Sequence, residues 1–266
     1  MINSKYEYIY TIYIPMTEQL VFYIAHYRNK ESACILLNYC VKSIHQHYPE
    51  ASIVVCESPS TYLSKAYDIS GVLWIENPIP NSSCIGCFKD YLTRYRDKNV
   101  KAIFLHDSMI LKGRFEEKRL AMPFGFIWHF VGLHEPKYML SETLGTYVFN
   151  TLVSGDMDTD DYTGCFGMAL YGNYRSIETL WKEIPFEEFM RTEQRKHVLL
   201  DMERIIGAVA FKNRLVSNTD EFSLCGNIFD FPNACCNVFT KQNYEEIQNF
   251  PYEQACVKFW GGRAIL

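Results

Sequence analysis

The 266-residue chain is 48% hydrophobic and 21% charged, with a net charge of -5; this suits one globular domain with a sizeable core and excludes a long disordered tail. No basic block stands behind the negative balance, so neither nucleic acid nor an anionic membrane surface is an expected partner. No apolar run reaches the length of about 18 residues that a transmembrane segment requires, and no secretory signal opens the chain, so a cytoplasmic location is expected.

In chain order, Leu20 to Tyr27 read as a strand that ends in the polar stretch Arg28-Asn29-Lys30-Glu31. From Ser32, a candidate N-cap, apolar residues recur at Ile35, Leu36, Tyr39, Cys40 and Ile44. That spacing predicts a helix running to Tyr48-Pro49. Ser52 to Ser58 is a short continuous apolar run, the pattern of a strand buried on both faces, and Val72 to Glu76 repeats it. Ser83 to Lys98 is helical again, with Phe88, Leu92 and Tyr95 on one side, and Val100 to Leu105 forms the next strand. Strands alternating with helices predict an α/β domain built on a parallel sheet.

The second half loses this alternation. Phe124 to Leu133 is aromatic and apolar, Asp156 to Asp161 is acidic, and Gly164 to Gly172 reads as a small-residue strand or loop. Helical patterns return at Ile177 to Trp181 and from Glu187 to Val209. No repeat or linker divides the chain, so residues 1–266 are expected to form a single domain.

The sequence has ten cysteines. Cys34, Cys40, Cys56 and Cys256 lie in apolar runs, as reduced thiols packed as small hydrophobes do, which points to a reducing compartment. Cys84 and Cys87 have redox or zinc spacing, but no second such pair accompanies them, so a structural role is favoured. Cys235 and Cys236 are adjacent and ill placed to chelate one ion together.

In an open parallel sheet, ligands bind at the carboxyl ends of the strands. The polar groups there are His26 to Arg28, Glu57, Asn77 and the triplet His106-Asp107-Ser108. Arg28 or Lys30 can face a diphosphate, Glu57 can accept hydrogen bonds from a ribose or base, and Asp107 can hold a divalent cation. A carboxylate at a strand end can equally be a turn or cap group.

The order ILLNYCVKSIHQHYPEASIVVCES, then a helix, then KAIFLHDSMIL resembles the N-terminal half of a GT-A glycosyltransferase, whose fourth strand ends in a metal-binding Asp-x-Asp motif. YTGCFGMALYG followed by LLDMERIIGAVAF resembles the glycine-rich strand and later acidic segment of inverting β-1,3-galactosyltransferase-like enzymes. The whole, with the closing KFWGGR, is similar to compact glycosyltransferases encoded by large DNA viruses of algae, such as chloroviruses. The resemblance implies a GT-A-like fold, a mainly parallel Rossmann-like sheet with helices on both faces. Residues from about 20 to 111 would bind the nucleotide sugar, and from about 112 to 266 the acceptor.

The resemblance further implies a hexosyl- or pentosyltransferase that moves sugar from a nucleotide-sugar donor, UDP-linked foremost, to a glycan or oligosaccharide acceptor, in the host cytoplasm if the chain is viral. Glu203, four residues before Gly207, would be the catalytic base, with Asp201 the second candidate. His26, Arg28, Glu57, Lys89, His106 and Ser108 would contact the donor. Asp107 with His106 would bind Mn2+ or Mg2+, although the HDS triplet leaves one carboxylate where the motif has two. Gly164, Cys165, Gly167 and Trp128 would line the acceptor side. Trp128 and Trp260 are candidates to stack on sugar rings or, alternatively, to pack in the core.

Two rivals remain open. One is a nucleotidyltransferase, whose glycine-rich phosphate loop is not found; the other is a catalytically degenerate GT-A domain that binds glycans or a partner. A dinucleotide-dependent oxidoreductase is disfavoured because no GxGxxG follows the first strand.

Overall fold

A computed structural model describes residues 18–27, 31–58, 69–79, 82–131, 142–155, 163–192, 195–216, 222–228, 235–236, 239–240, 255–259 and 264–265. The first half alternates β1 (Gln19–His26), α1 (Glu31–His47), β2 (Ser52–Glu57), β3 (Leu73–Glu76), α2 (Ser83–Arg94) and β4 (Val100–His106). Then come β5 (Met109–Leu111), α3 (Glu117–Leu120), β6 (Phe124–Phe126), β7 (His129–Phe130), α4 (Glu142–Ser154), β8 (Gly164–Cys165) and β9 (Leu170–Asn173). Helices α5 (Tyr174–Glu183), α6 (Phe186–Thr192) and α7 (Arg195–Lys212) precede the short strands β10 (Cys235–Cys236), β11 (Phe239–Thr240), β12 (Cys256–Phe259) and β13 (Ala264–Ile265).

Among the described residues the central sheet runs β3-β2-β1-β4-β9-β6. β1 to β4 are parallel, as the strand-helix alternation predicts, and β9 and β6 extend the sheet antiparallel. Successive residues of β1 serve opposite faces. Val21, Tyr23 and Ala25 pack towards α2, α5 and α7, whereas Phe22 and Ile24 pack towards α1 and β5. Two-sided burial explains why these strands read as unbroken apolar runs.

Two sequence expectations change. Leu73 and Trp74 are 44% and 39% exposed, so Val72 to Glu76 is a sheet edge paired on one side and not a strand buried on both faces. The helical pattern from Glu187 to Val209 falls on α6 and α7, with residues 193–194 outside the described residues. Gly164 to Gly172 is neither strand nor loop alone: β8 and β9 flank one 3-10 turn at Phe166–Met168. The acidic stretch Asp156 to Asp161 lies outside the described residues.

Candidate active site

Parallel pairing of β1 with β4 puts Ala25 opposite His106, so the polar residues that follow each strand meet at one end of the sheet. Asp107 is anchored there by its backbone N–H, which donates to the Ala25 carbonyl at 3.1 Å. Its Oδ2 lies 2.7 Å from His26 Nδ1 and also accepts the Tyr27 backbone N–H at 3.2 Å. Both side chains are buried. Burial opposes charge on His26, but the hydrogen bond to Asp107, assisted by the Cys34 thiol 4.0 Å from Nε2, carries its pKa up to about 9. At neutral pH His26 is therefore held as an imidazolium against Asp107.

The neighbouring histidine is driven the opposite way. Burial and the Lys258 ammonium push His106 down to about 4, against the smaller pull of Asp107 and a hydrogen bond to the Gly167 backbone. Its Nε2 faces Cys84 Sγ at 3.7 Å, and the Tyr27 ring lies 6.1 Å away, centroid to centroid. Tyr27 Oη reaches the same sulfur at 3.1 Å. His106 is thus a neutral, half-buried group with Nε2 turned to the Cys84 thiol.

The second carboxylate arrives on α7. A Cβ on Gly207 would stand 2.2 Å from the Thr163 carbonyl oxygen, so glycine alone lets the helix lie this close to β8. One turn earlier, Glu203 Oε1 accepts the Gly167 N–H at 2.9 Å. Gly167 holds φ at 66°, which glycine adopts without strain. Burial raises the Glu203 pKa, while Lys258, the Gly167 hydrogen bond and Arg204 hold it down.

Lys258 was assigned no role by sequence. Strand β12 pairs antiparallel with β5, placing Lys258 opposite Met109, and the Phe259 N–H donates to the Ser108 carbonyl at 2.9 Å. The Lys258 ammonium lies 4.6 Å from the centre of the Phe166 ring. Cys84, singled out in the sequence only for its spacing to Cys87, and Tyr27 also join this cluster, since nothing local marks a thiol or tyrosine as a neighbour of a distant strand end.

The other candidates are divided between this strand end and the core. Glu57 ends β2 beside His26 in the sheet, partly exposed, where it can meet a ligand. Ser108 is buried, and its carbonyl holds β12. Asp201 is fully buried in α7, beyond reach of a substrate hydroxyl, and Trp128 is 0% exposed within the core, so it offers no face to a sugar. The Phe130 ring fills the space a Cβ on Gly164 would take, and the Cys165 thiol donates inward to the Ala169 carbonyl at 3.5 Å. These two residues pack the interior.

Lys89 is also displaced. The Ser83 hydroxyl at the start of α2 donates to the His26 carbonyl at 2.8 Å, and Lys89 follows six residues later, about 9 Å along the axis. There it pairs with Glu187 at 2.7 Å and borders a surface cavity of about 480 Å³ with Arg96, Trp181 and Lys182. Arg28, Lys30 and Trp260 lie outside the described residues.

Among the described residues, the donors at this strand end are largely engaged with protein groups. His106 turns Nε2 to a thiol and bonds the Gly167 backbone, while Asp107 commits Oδ2 to His26 and Tyr27. Among the described residues no three His, Cys, Asp or Glu side chains are grouped to hold a metal ion. The Lys258 ammonium beside the same turn adds positive charge that repels a second cation.

No protein-family model and no curated protein matches the chain. Among solved structures, the galactosyltransferase LgtC in complex with donor and acceptor sugar analogues superposes with a TM-score of 0.42 at 11% identity, covering 91% of this chain and 87% of that one. An active-site mutant of LgtC gives a TM-score of 0.39 at 11% identity, with 91% and 87% covered. The apo glycosyltransferase GlyE of Streptococcus pneumoniae TIGR4 gives 0.40 at 11% identity, with 90% of this chain and 54% of that chain covered. Likeness at this level carries no argument about chemistry.

Proposed function

We propose that this chain is a GT-A-like glycosyltransferase that moves a hexosyl or pentosyl group from a sugar nucleotide, a UDP-sugar foremost, to a hydroxyl of a glycan acceptor with inversion. One observation carries the reading. Two carboxylates from distant segments converge at the carboxyl edge of a parallel sheet, in different protonic environments: Asp107 is paired with a cationic His26, and Glu203 is part-buried against Gly167 with its pKa raised. A carboxylate pushed towards neutrality is a better proton acceptor, and pairing with His26 offsets the Asp107 charge that would otherwise repel a diphosphate.

In this reading Glu57 and the second oxygen of Asp107 accept hydrogen bonds from donor hydroxyls. Glu203 takes the proton of the acceptor hydroxyl as its oxygen forms the new bond to the anomeric carbon. The bond from that carbon to the diphosphate breaks on the opposite face, and its electron pair leaves with the nucleotide.

The test is Glu203→Gln, assayed by UDP release from UDP-sugars with glycan acceptors. Glutamine keeps the reach to Gly167 but accepts no proton, so turnover should fall about 10²- to 10⁴-fold while UDP affinity barely moves. Asp201→Asn is the matched control and should alter stability more than rate. Unchanged turnover in Glu203→Gln would remove the base, and NMR showing a retained anomeric configuration would remove the single displacement. Absence of both transfer and donor hydrolysis in the wild type would favour the degenerate binding module.

A further inference from the structure

We propose that Lys258 takes the place of a divalent cation in this site, its ammonium facing the donor diphosphate, so that nucleotide binding and transfer do not depend on a metal. The inference rests on the glycosyltransferase reading and deepens it. The geometry begins at Asp107. Chain immediately after it, from Ser108 to Leu111, is held by β12 through the Phe259-to-Ser108 hydrogen bond and the pairing of Lys258 with Met109. A residue far along the sequence is thereby fixed beside the strand end where a diphosphate would lie.

Gly167 makes room for it. A Cβ at that position would come within 2.5 Å of Lys258 Nζ, so the left-handed glycine leaves open the space the ammonium occupies. On its other side the ammonium rests 4.6 Å from the Phe166 ring centre, an aromatic face that attracts a cation and helps fix its position. Its charge bears on His106, Glu203, Cys165 and Cys84, which places it electrostatically within the cluster rather than at its rim.

The donor set supplies the complementary half. A metal-bridged diphosphate needs several free oxygen or nitrogen ligands, and here Asp107 Oδ2 is committed to His26 and Tyr27 and His106 Nε2 faces the Cys84 thiol. An ammonium needs no ligands. It offers a compact charge with three donors, a long-established way to hold phosphate oxygens. As the anomeric carbon–oxygen bond breaks, negative charge grows on the leaving diphosphate, and Lys258 stabilises it while Glu203 takes the acceptor proton.

Calorimetric titration of the whole chain with UDP, and with GDP and ADP alongside, tests this in excess EDTA and again with MnCl2. The wild type should bind the same nucleotide with equal affinity in both. Lys258→Met, which keeps the aliphatic stem, should weaken UDP by about tenfold to a hundredfold, the range for a hydrogen bond to a charged group, and leave uridine binding unchanged. Tightening of UDP by manganese tenfold or more in the wild type would overturn the proposal while leaving the glycosyltransferase reading in place. Normal UDP binding by Lys258→Met would overturn it equally. If the variant loses uridine as well, the wild-type comparison with and without manganese decides alone. Failure of all three nucleotides to bind the wild type in either condition would overturn the glycosyltransferase reading and this proposal together.

Discussion

The His26–Asp107 pair makes stability depend on pH in a direction that can be worked out in advance. Asp107→Asn removes the charge but keeps an oxygen for the Tyr27 N–H, so it isolates the ionic part of the contact. The His26 pKa stands at about 9 against its ordinary 6.5. A group raised on folding contributes stability that is fully present below its unfolded pKa and lost as pH rises through the folded one. With these two values the pair stabilises the wild type by about 3 kcal/mol at pH 6, about 2 kcal/mol at pH 7.5 and next to nothing at pH 9.5. Urea denaturation followed by far-ultraviolet circular dichroism on both proteins measures the gap. The difference in unfolding free energy should shrink steadily across that window. An equal gap at pH 6 and pH 9.5 would refute the charged pair, since a neutral hydrogen bond does not vanish with alkali.

Three further outcomes follow from the same packing. His106, held down at about 4, binds a proton more readily unfolded than folded, so wild-type stability should fall as pH drops from 6.5 towards 4, and His106→Gln should flatten that limb in the same urea series. Gly207→Ala drives a methyl towards the Thr163 carbonyl and should cost about 1–3 kcal/mol of stability by thermal unfolding, with turnover falling because Glu203 rides on the displaced helix. Lys89→Met breaks only an exposed ion pair, so it should change stability by about 1 kcal/mol at most and leave UDP affinity untouched; a tenfold loss of affinity in calorimetry would return Lys89 to the donor site.

Much of the first half was readable from residue order alone. Strands buried on both faces must be apolar at every position, and helices packed on them must be apolar every three or four residues, so Val21 to Ala25, Ser52 to Glu57 and Val100 to Leu105 declare themselves locally. The stop at His106-Asp107-Ser108 was legible for the same reason, because polar groups end a buried run. Local pattern did not show which polar group meets which. His26 finds Asp107 across 81 residues through the register of two strands, and Lys258 enters through an antiparallel strand near the end of the chain. Glu203 reaches Gly167 because Gly207 lets a helix settle against the Thr163 backbone. Trp128, whose aromatic ring suits a sugar as well as a core, was settled by burial alone. Periodicity records the average environment of each residue, whereas a site depends on distances between segments, and those follow from strand register and helix contact set by the whole core.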